Sequence, residues 1–272
     1  MNTRVLYIFL FWAVAVVSTG CSDFQKILKS DNIDKKYEAA LRYYDKKDYY
    51  KAGLLLEELI PLMRGRTEAE KAQFYFAKTN FFQRDYILSA YYFRSFAETY
   101  PRSEYVQEAM FLHTKSLFFD SPSADLDQAS TYQALEAIQE FLNRYPNSGY
   151  QEEANKMYDE LSAKLEVKAF QNARLYHQLR HYQSAVVALD NFQREFPSSD
   201  FNEEALFLKI EAQYNLAKES VQEKQRDRYY EVVGFYQNFV DRYPNSKYLR
   251  MAEGFYTTAQ EQLAKLRVSA SN

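Results

Sequence analysis

The chain has 272 residues, with 34 Lys and Arg against 37 Asp and Glu, and therefore a formal net charge of −3. This balance gives no sign of the basic face that a phosphate backbone requires, so we expect no nucleic-acid partner. Six Gly and six Pro stand beside 25 Tyr and 21 Phe, which favours a nearly all-helical chain rich in aromatic packing.

Residues 1–20 have the features of a secretory signal peptide. Arg4 precedes an apolar run from Val5 to Val17 that is shorter than a membrane span needs, and small residues then lead to Cys21. Cys directly after a small residue resembles the lipobox of bacterial lipoproteins, although Ser18 stands where Leu is typical. That resemblance implies a lipidated Cys21, held in a membrane by more than one acyl chain. The alternative is an ordinary signal peptide with a spare thiol.

The mature chain is predicted to have three parts. Residues 21–32 are expected to be the lipidated cysteine and a tether, residues 33–268 a helical array, and residues 269–272 a disordered tail. Within the array, the second helix should bend or end near Pro61, and a loop should span Phe119 to Asp127. A long helix from Tyr150 to about Leu179 is expected to break near Ala163.

One pattern, Phe-x-x-x-(Tyr/Phe)-Pro-x-Ser-x-(Tyr/Phe)-x-x-x-Ala, occurs four times, starting at Phe96, Phe141, Phe192 and Phe239. The proline ends one helix, and the serine can accept a hydrogen bond from a free N–H of the next helix. Each Phe lies at the same helical phase just before its corner, so we expect these residues in the core rather than at a ligand.

The four prolines lie 45, 51 and 47 residues apart, and a repeated helix pair at such a period indicates a solenoid. In each copy a small residue, replaced by Val in the last copy, is followed four and seven positions later by large residues, and proline comes five positions after the last of these. This spacing resembles the second helix of a tetratricopeptide repeat. The predicted fold is therefore all-α. It is a right-handed α-solenoid of about five tetratricopeptide-like helix pairs plus a C-terminal helix, with a period longer than the usual ~34 residues.

The first helices of the first two pairs carry more aromatic residues than one packing stripe needs. The simpler explanation is burial against both neighbouring helices; the functional one is a groove that binds an extended apolar peptide. Basic residues at the last corner would then be free to dock a folded partner. The groove candidates are Tyr43, Tyr44, Tyr75, Phe76 and Phe82, and the docking candidates are Arg242, Lys247 and Arg250.

No catalytic constellation is evident. His177 and His181 are spaced i, i+4, but Gln178 stands where a zincin has Glu, and there is no third ligand in sight. Pairs of Glu at 152–153 and 203–204 suit the first turn of a helix, where their negative charges interact favourably with the helix dipole. We therefore expect a non-enzyme with no metal and no cofactor other than the covalent lipid on Cys21.

Cys21, the helix pairs, and Arg-Tyr-Pro-x-Ser-x-Tyr at Arg144–Tyr150 and Arg242–Tyr248 together resemble the BamD family of outer-membrane lipoproteins. The resemblance covers nearly the whole mature chain. It implies anchoring at the periplasmic face of the outer membrane, binding to a BamA-type barrel subunit through its POTRA domains, and contact with unfolded outer-membrane proteins. A Tol–Pal-associated scaffold of CpoB/YbgF type and a SusD-like glycan-binding lipoprotein are the alternatives. Scaffolds of CpoB/YbgF type usually have a coiled coil, and SusD-like proteins usually have large insertions. Neither feature is evident in this sequence.

Overall fold

The computed structural model describes residues 23–270, and their side chains as far as residue 267. Residues 1–20 and Cys21 lie outside this range. Within it the chain is all-helical, as predicted, with one 3₁₀ helix at Ile60–Met63 and a helical stretch at residues 23–28 before the first full helix. The helices are α1 (Ile33–Asp45), α2 (Tyr49–Leu59), α3 (Ala69–Phe82), α4 (Tyr86–Thr99), α5 (Val106–Asp120), α6 (Ala129–Arg144), α7 (Gln151–Gln178), α8 (Tyr182–Glu195), α9 (Asn202–Lys218), α10 (Gln222–Arg242) and α11 (Leu249–Ala270).

The helices form two compact units, divided within α7 after Leu161. In the first unit each helix from α1 to α5 packs against the next one along the chain. In the second unit α8, α9, α10 and α11 pack in the same sequential way, and α9 also contacts α11. Packing of sequence neighbours in pairs confirms the predicted tetratricopeptide-like repeat architecture.

The four predicted helix corners share one geometry. At each of them the serine Oγ accepts a hydrogen bond from the backbone N–H two residues later, at 3.0–3.1 Å. The predicted serine acceptor is therefore present at all four corners, but its donor is the residue just before each helix. For α5 and α9 that residue, Tyr105 or Phe201, is the N-cap, and no side chain caps it. Just before the proline, the ring of the Phe packs against the aromatic ring four residues on, at centroid distances of 5.3–5.8 Å.

Each corner also contacts the first helix of its own repeat pair. The aromatic residue after the serine stacks nearly parallel on a phenylalanine of that helix, at centroid distances of 4.3–4.8 Å. This contact places each new first helix against the one before it, because the second ring belongs to the residue directly before the new helix. The stacked pairs are Phe74–Tyr105, Phe111–Tyr150, Phe170–Phe201 and Phe207–Tyr248.

Several segments differ from expectation or refine it. Residues 23–28 are helical rather than a free tether, because Phe24 is buried against the first helix pair and Lys36 Nζ donates to Leu28 O at 2.8 Å. Helix α7 runs from Gln151 to Gln178 without the break expected near Ala163. Helix α11 continues to Ala270, and the last two residues of the expected tail lie outside the described chain. The irregularity at Pro61 is confirmed, since α2 gives way there to the 3₁₀ helix.

The phenylalanines before the corners are core residues. Phe141 and Phe239 have no exposed surface and Phe192 is 2% exposed. We predict that Phe192→Ala lowers the free energy of unfolding by about 3–5 kcal/mol, because it leaves a cavity that the neighbouring helices cannot fill. Urea denaturation measures this, with the exposed Tyr176→Ala as a control that should change stability by less than about 0.5 kcal/mol. Equal stability of the two variants would contradict the assignment.

A buried histidine makes the stability of the first unit depend on pH. Burial lowers the pKa of His113 below its usual value, even though the ring Nδ1–H donates to Ala90 O at 2.8 Å. Arg94 lowers it further, while Glu98 and Glu140 act in the opposite direction. Because the unfolded state then binds more protons, stability is lost as the pH falls below the usual histidine pKa near 6.5.

We predict that His113→Asn, whose amide N–H can replace the bond to Ala90, weakens this dependence between pH 7 and 5. Urea midpoints of the variant should fall less over that range than those of the wild type. Carboxylates such as Asp190, whose pKa Lys209 lowers by hydrogen bonding, contribute at lower pH and are common to both proteins. Parallel curves for the two proteins would show that His113 is not the group responsible.

Candidate functional site

An aromatic cluster lies at the C-terminal ends of α1 and α3 in the first unit. The rings of Tyr44 and Tyr75 are 4.6 Å apart, and Tyr44 lies 6.2 Å from Phe82. Phe82 in turn stacks on Tyr49, the first residue of α2, at 4.5 Å. The three tyrosines are half-buried and Phe82 is 44% exposed, so the cluster keeps ring surface available to a ligand.

Spacing along the helices explains why these side chains meet. Tyr75 and Phe82 are seven residues apart on α3, so two helical turns bring them to the same face. Tyr37 and Tyr44 have the same spacing on α1. Antiparallel packing of consecutive helices then places the two aromatic faces side by side, because α2 connects them through short turns.

The repeat itself does not require these aromatics. The stacking contacts align α3 with the other first helices, since Phe74 corresponds to Phe111 of α5, Phe170 of α7 and Phe207 of α9. At the position of Tyr75 these helices carry Leu112, Gln171 and Leu208. At the position of Phe82 they carry Phe119, Gln178 and Asn215, so of the three only α5 has an aromatic there. The aromatic face of α3 is thus a local feature of the first unit.

Charged groups border the cluster. Lys71 Nζ lies 5.4 Å from the ring centre of Tyr75, and Lys78 pairs with Glu108 at 2.8 Å. Burial raises the pKa of Tyr44, with smaller contributions from Tyr49 and Tyr75, so its hydroxyl remains a neutral donor at physiological pH. The arrangement offers ring faces and phenol hydroxyls, which suits binding of apolar or aromatic side chains by burial.

Two of the five groove candidates do not join the cluster. Tyr43 lies on another face of α1, where it packs edge-on against Phe24 at 5.5 Å with Lys51 Nζ above its ring. Phe76 is 8% exposed and packs against Tyr92 of α4 at 4.7 Å, so it is a core residue and not a groove residue. Both lie about a quarter turn from the residue next to them that does join the cluster.

Tyr49 also belongs to the cluster, although it is not among the five groove candidates. The sequence indicates this position, because Tyr44 and Tyr49 flank the tight turn Lys46-Lys47-Asp48 and their side chains therefore come close to each other. Their rings meet at 5.4 Å. The turn is closed by Lys47 in the left-handed region, with φ 60°.

The basic candidates lie at the last corner, in the second unit. Arg242 and Arg250 are exposed, and neither forms an ion pair with any residue that the structure describes. Lys247 Nζ sits 4.9 Å from the ring centre of Tyr248, which is itself stacked on Phe207. The corner thus holds two free guanidinium groups on a rigid support.

The two histidines of the i, i+4 pair have different surroundings. His177 Nε2 lies 3.2 Å from Glu211 Oε2, but without hydrogen-bond geometry. His181 is exposed and precedes the first residue of α8. Over residues 23–270, no three His, Cys, Asp or Glu side chains converge as metal ligands.

None of the helices described in residues 23–270 combines the length and the apolar character needed to cross a membrane. A family model described as an outer membrane lipoprotein, YfiO, matches residues 30–228. The outer membrane protein assembly factor BamD of Helicobacter pylori is 24% identical over 154 residues, which cover 53% of this chain and 66% of that protein. The BamD of Caulobacter vibrioides is 28% identical over 117 residues, 43% of this chain and 38% of its own length. The chain thus spans less than two thirds of either relative.

Proposed function

We propose, from the premise that this chain belongs to the YfiO family of outer membrane lipoproteins, that it is a non-catalytic assembly factor for outer-membrane proteins. Two similar proteins carry the name outer membrane protein assembly factor, which supports this assignment. In the proposal the chain acts as a scaffold and as a substrate-binding subunit in the insertion of β-barrel proteins. It is held at the periplasmic face of the outer membrane by lipid on Cys21.

The observation that carries the substrate-binding part is the half-exposed aromatic cluster of Tyr44, Tyr49, Tyr75 and Phe82. Strands of outer-membrane barrels alternate apolar and polar side chains and are rich in aromatics at their ends. A cluster of ring faces would hold such side chains by burial and stacking, without reading a strict sequence. That tolerance is what a factor with many substrates requires.

A folded partner would dock elsewhere. Arg242 and Arg250 are exposed and unpaired among the described residues, and Lys247 is fixed above a stacked tyrosine. Guanidinium groups on a rigid corner suit carboxylates on a neighbouring protein. We assign this corner to the POTRA domains of a BamA-type barrel subunit, so that substrate and partner would occupy different units of the chain.

Peptide binding tests the substrate site. We predict that Tyr75→Ala and Phe82→Ala each weaken binding of a C-terminal peptide from a barrel protein by about tenfold, the loss expected for a hot-spot aromatic. The readout is the dissociation constant from fluorescence anisotropy. Tyr91→Ala is the matched control, because Tyr91 is exposed on α4 and lies outside the cluster.

Thermal melts of all three variants separate binding from folding. Unchanged affinity in both cluster variants would remove the aromatic cluster as the substrate site. Equal weakening by Tyr91→Ala would mean that the peptide binds exposed rings in general.

The anchor is tested at Cys21, which lies outside the described residues. We predict that Cys21→Ser yields a protein without acyl chains. This protein should leave the membrane fraction when no other complex subunit is present, because none of the described helices can span a bilayer. Mass spectrometry checks acylation and flotation checks membrane association. A Cys21→Ser protein that still floats tightly with outer membranes would contradict the assignment.

Affinity purification from membranes tests the complex as a whole. Co-purification of a BamA-type subunit, lost on reversing the charges of Arg242 and Arg250, would support the proposal. Tol–Pal components in its place would indicate a cell-envelope scaffold, and a bound glycan would indicate a carbohydrate-binding lipoprotein.

A further inference from the structure

In the first unit the turns within helix pairs lie along one edge. The start of α2 meets the end of α1 where Tyr49 contacts Tyr44 at 5.4 Å, and the end of α3 where Tyr49 stacks on Phe82 at 4.5 Å. The start of α4 meets the end of α5 where Tyr86 stacks on Phe119 at 5.1 Å. We call this side of the first unit the turn edge, as distinct from the side that carries the proline corners.

The same edge continues to the third helix pair. Ser121, directly after α5, and Thr131, in the first turn of α6, have their hydroxyls 2.6 Å apart. The turn edge therefore joins the ends of α1, α3 and α5 to the starts of α2, α4 and α6.

The described chain begins at this edge. Phe24 packs against Tyr43 near the end of α1, with a centroid distance of 5.5 Å. Lys51 Nζ, from the first turn of α2, lies 5.7 Å from the ring centre of Phe24. Asp23 precedes Phe24, and Cys21 is two residues before Asp23. A chain of two residues reaches only about 7 Å, so any lipid on Cys21 must enter its membrane beside the turn edge.

Large apolar side chains are exposed along the same edge. Tyr50, Ile87 and Tyr132, in the first turns of α2, α4 and α6, are 65%, 69% and 58% exposed. Leu88 and Leu126 nearby are also exposed. Side chains on a helix tilt toward its N-terminus, so first-turn residues project over the edge itself. The packing stripe of the repeat uses the half-buried residues Tyr49 and Tyr86, which directly precede Tyr50 and Ile87. The packing of the repeat therefore does not use the exposed positions 50 and 87.

The charges at the turns are mixed, since Asp45 and Asp85 are exposed beside the basic residues and the third loop has no Lys or Arg. Lys46, Lys47 and Arg84 are exposed, and the left-handed conformation of Lys47 and Arg84 fixes the two turns. Basic side chains at this level pair with lipid phosphates. The acidic residues of the third loop have protein partners, since Asp125 accepts from Ser123 and Asp127 accepts from the N–H of Ala129.

We propose that the turn edge of the first unit lies on the membrane that holds the lipid of Cys21, with Tyr50, Ile87 and Tyr132 inserted at the headgroup level. This inference rests on the lipid anchor of the proposed function. Exposed aromatic and aliphatic side chains favour the interface between headgroups and acyl chains, and the basic residues of the first two turns can reach the lipid phosphates there. The acyl chains hold the protein on the surface, and the edge sets its orientation there.

The test measures depth at single sites in the acylated, full-length mature chain. Because acylation consumes the thiol of Cys21, an engineered cysteine is the only one that a fluorophore can label. Tyr50→Cys, Ile87→Cys and Tyr132→Cys report on the turn edge. Arg102→Cys and Asn147→Cys, exposed residues directly after the prolines of two corners, report on the opposite side as matched controls.

Each labelled protein is bound to vesicles of phosphatidylethanolamine and phosphatidylglycerol that contain nitroxide-labelled lipid. We expect the emission of NBD at 50, 87 and 132 to shift to the blue and to be quenched by shallow nitroxides, and emission at 102 and 147 to stay unquenched. Flotation of the same samples reports the anchor independently of orientation.

The possible outcomes distinguish the proposed orientation from the lipid anchor. Proteins that float but show no quenching at the turn edge, or equal quenching at both sides, overturn the orientation and leave the anchor intact. Proteins whose mass shows no acylation and that do not float overturn the anchor and, with it, this inference. Quenching confined to 102 and 147 would show that the proline corners face the membrane.

Discussion

The repeat depends on one contact: the parallel stack between an aromatic that follows each proline corner and a phenylalanine on the preceding first helix. Four such pairs have centroid distances of 4.3–4.8 Å, with the rings within 14° of parallel. Proline stops one helix, the serine starts the next, and the stack fixes where that next helix sits. In three of the four copies an ion pair crosses the same junction, as in Lys115–Glu153 at 2.6 Å.

This contact explains why the period of the repeat can vary without loss of register. The stacked partners are separated by different lengths of chain, because the turn inside a pair ranges from three residues after α3 to a loop of eight after α5, and because α10 has 21 residues where α4 has 14. The extra residues fall in the loop or in the helices and leave the corner unchanged. A loop of this kind costs little free energy, since loop-closure entropy grows only slowly with length.

The corners and the remaining faces also differ in how well they can be predicted from the sequence. The corners could be predicted because proline, serine and the flanking aromatics act locally, and Phe141, Phe192 and Phe239 are buried as expected. The site could be predicted only in part. Which of two adjacent aromatics faces outward depends on the angle at which neighbouring helices pack. Phe76 is therefore buried against Tyr92, while its neighbour Tyr75 lies against Tyr44 in the cluster. Phe24, in the expected tether, is buried by long-range packing that no local pattern encodes.

A repeat that uses identical corners leaves its remaining faces free to diverge. In the first unit those faces carry the aromatic cluster and the exposed apolar row of the turn edge, and Phe82 lies at the junction of the two through its stack on Tyr49. In the second unit the positions of Tyr75 and Phe82 are filled by Gln171 and Gln178 on α7, and exposed arginines occupy the last corner instead. Because neither set of residues contributes to the corner stacks, each could change without loss of the fold. If the turn edge rests on the membrane and the aromatic cluster binds a barrel strand, as proposed, that strand is kept beside the surface into which it must insert.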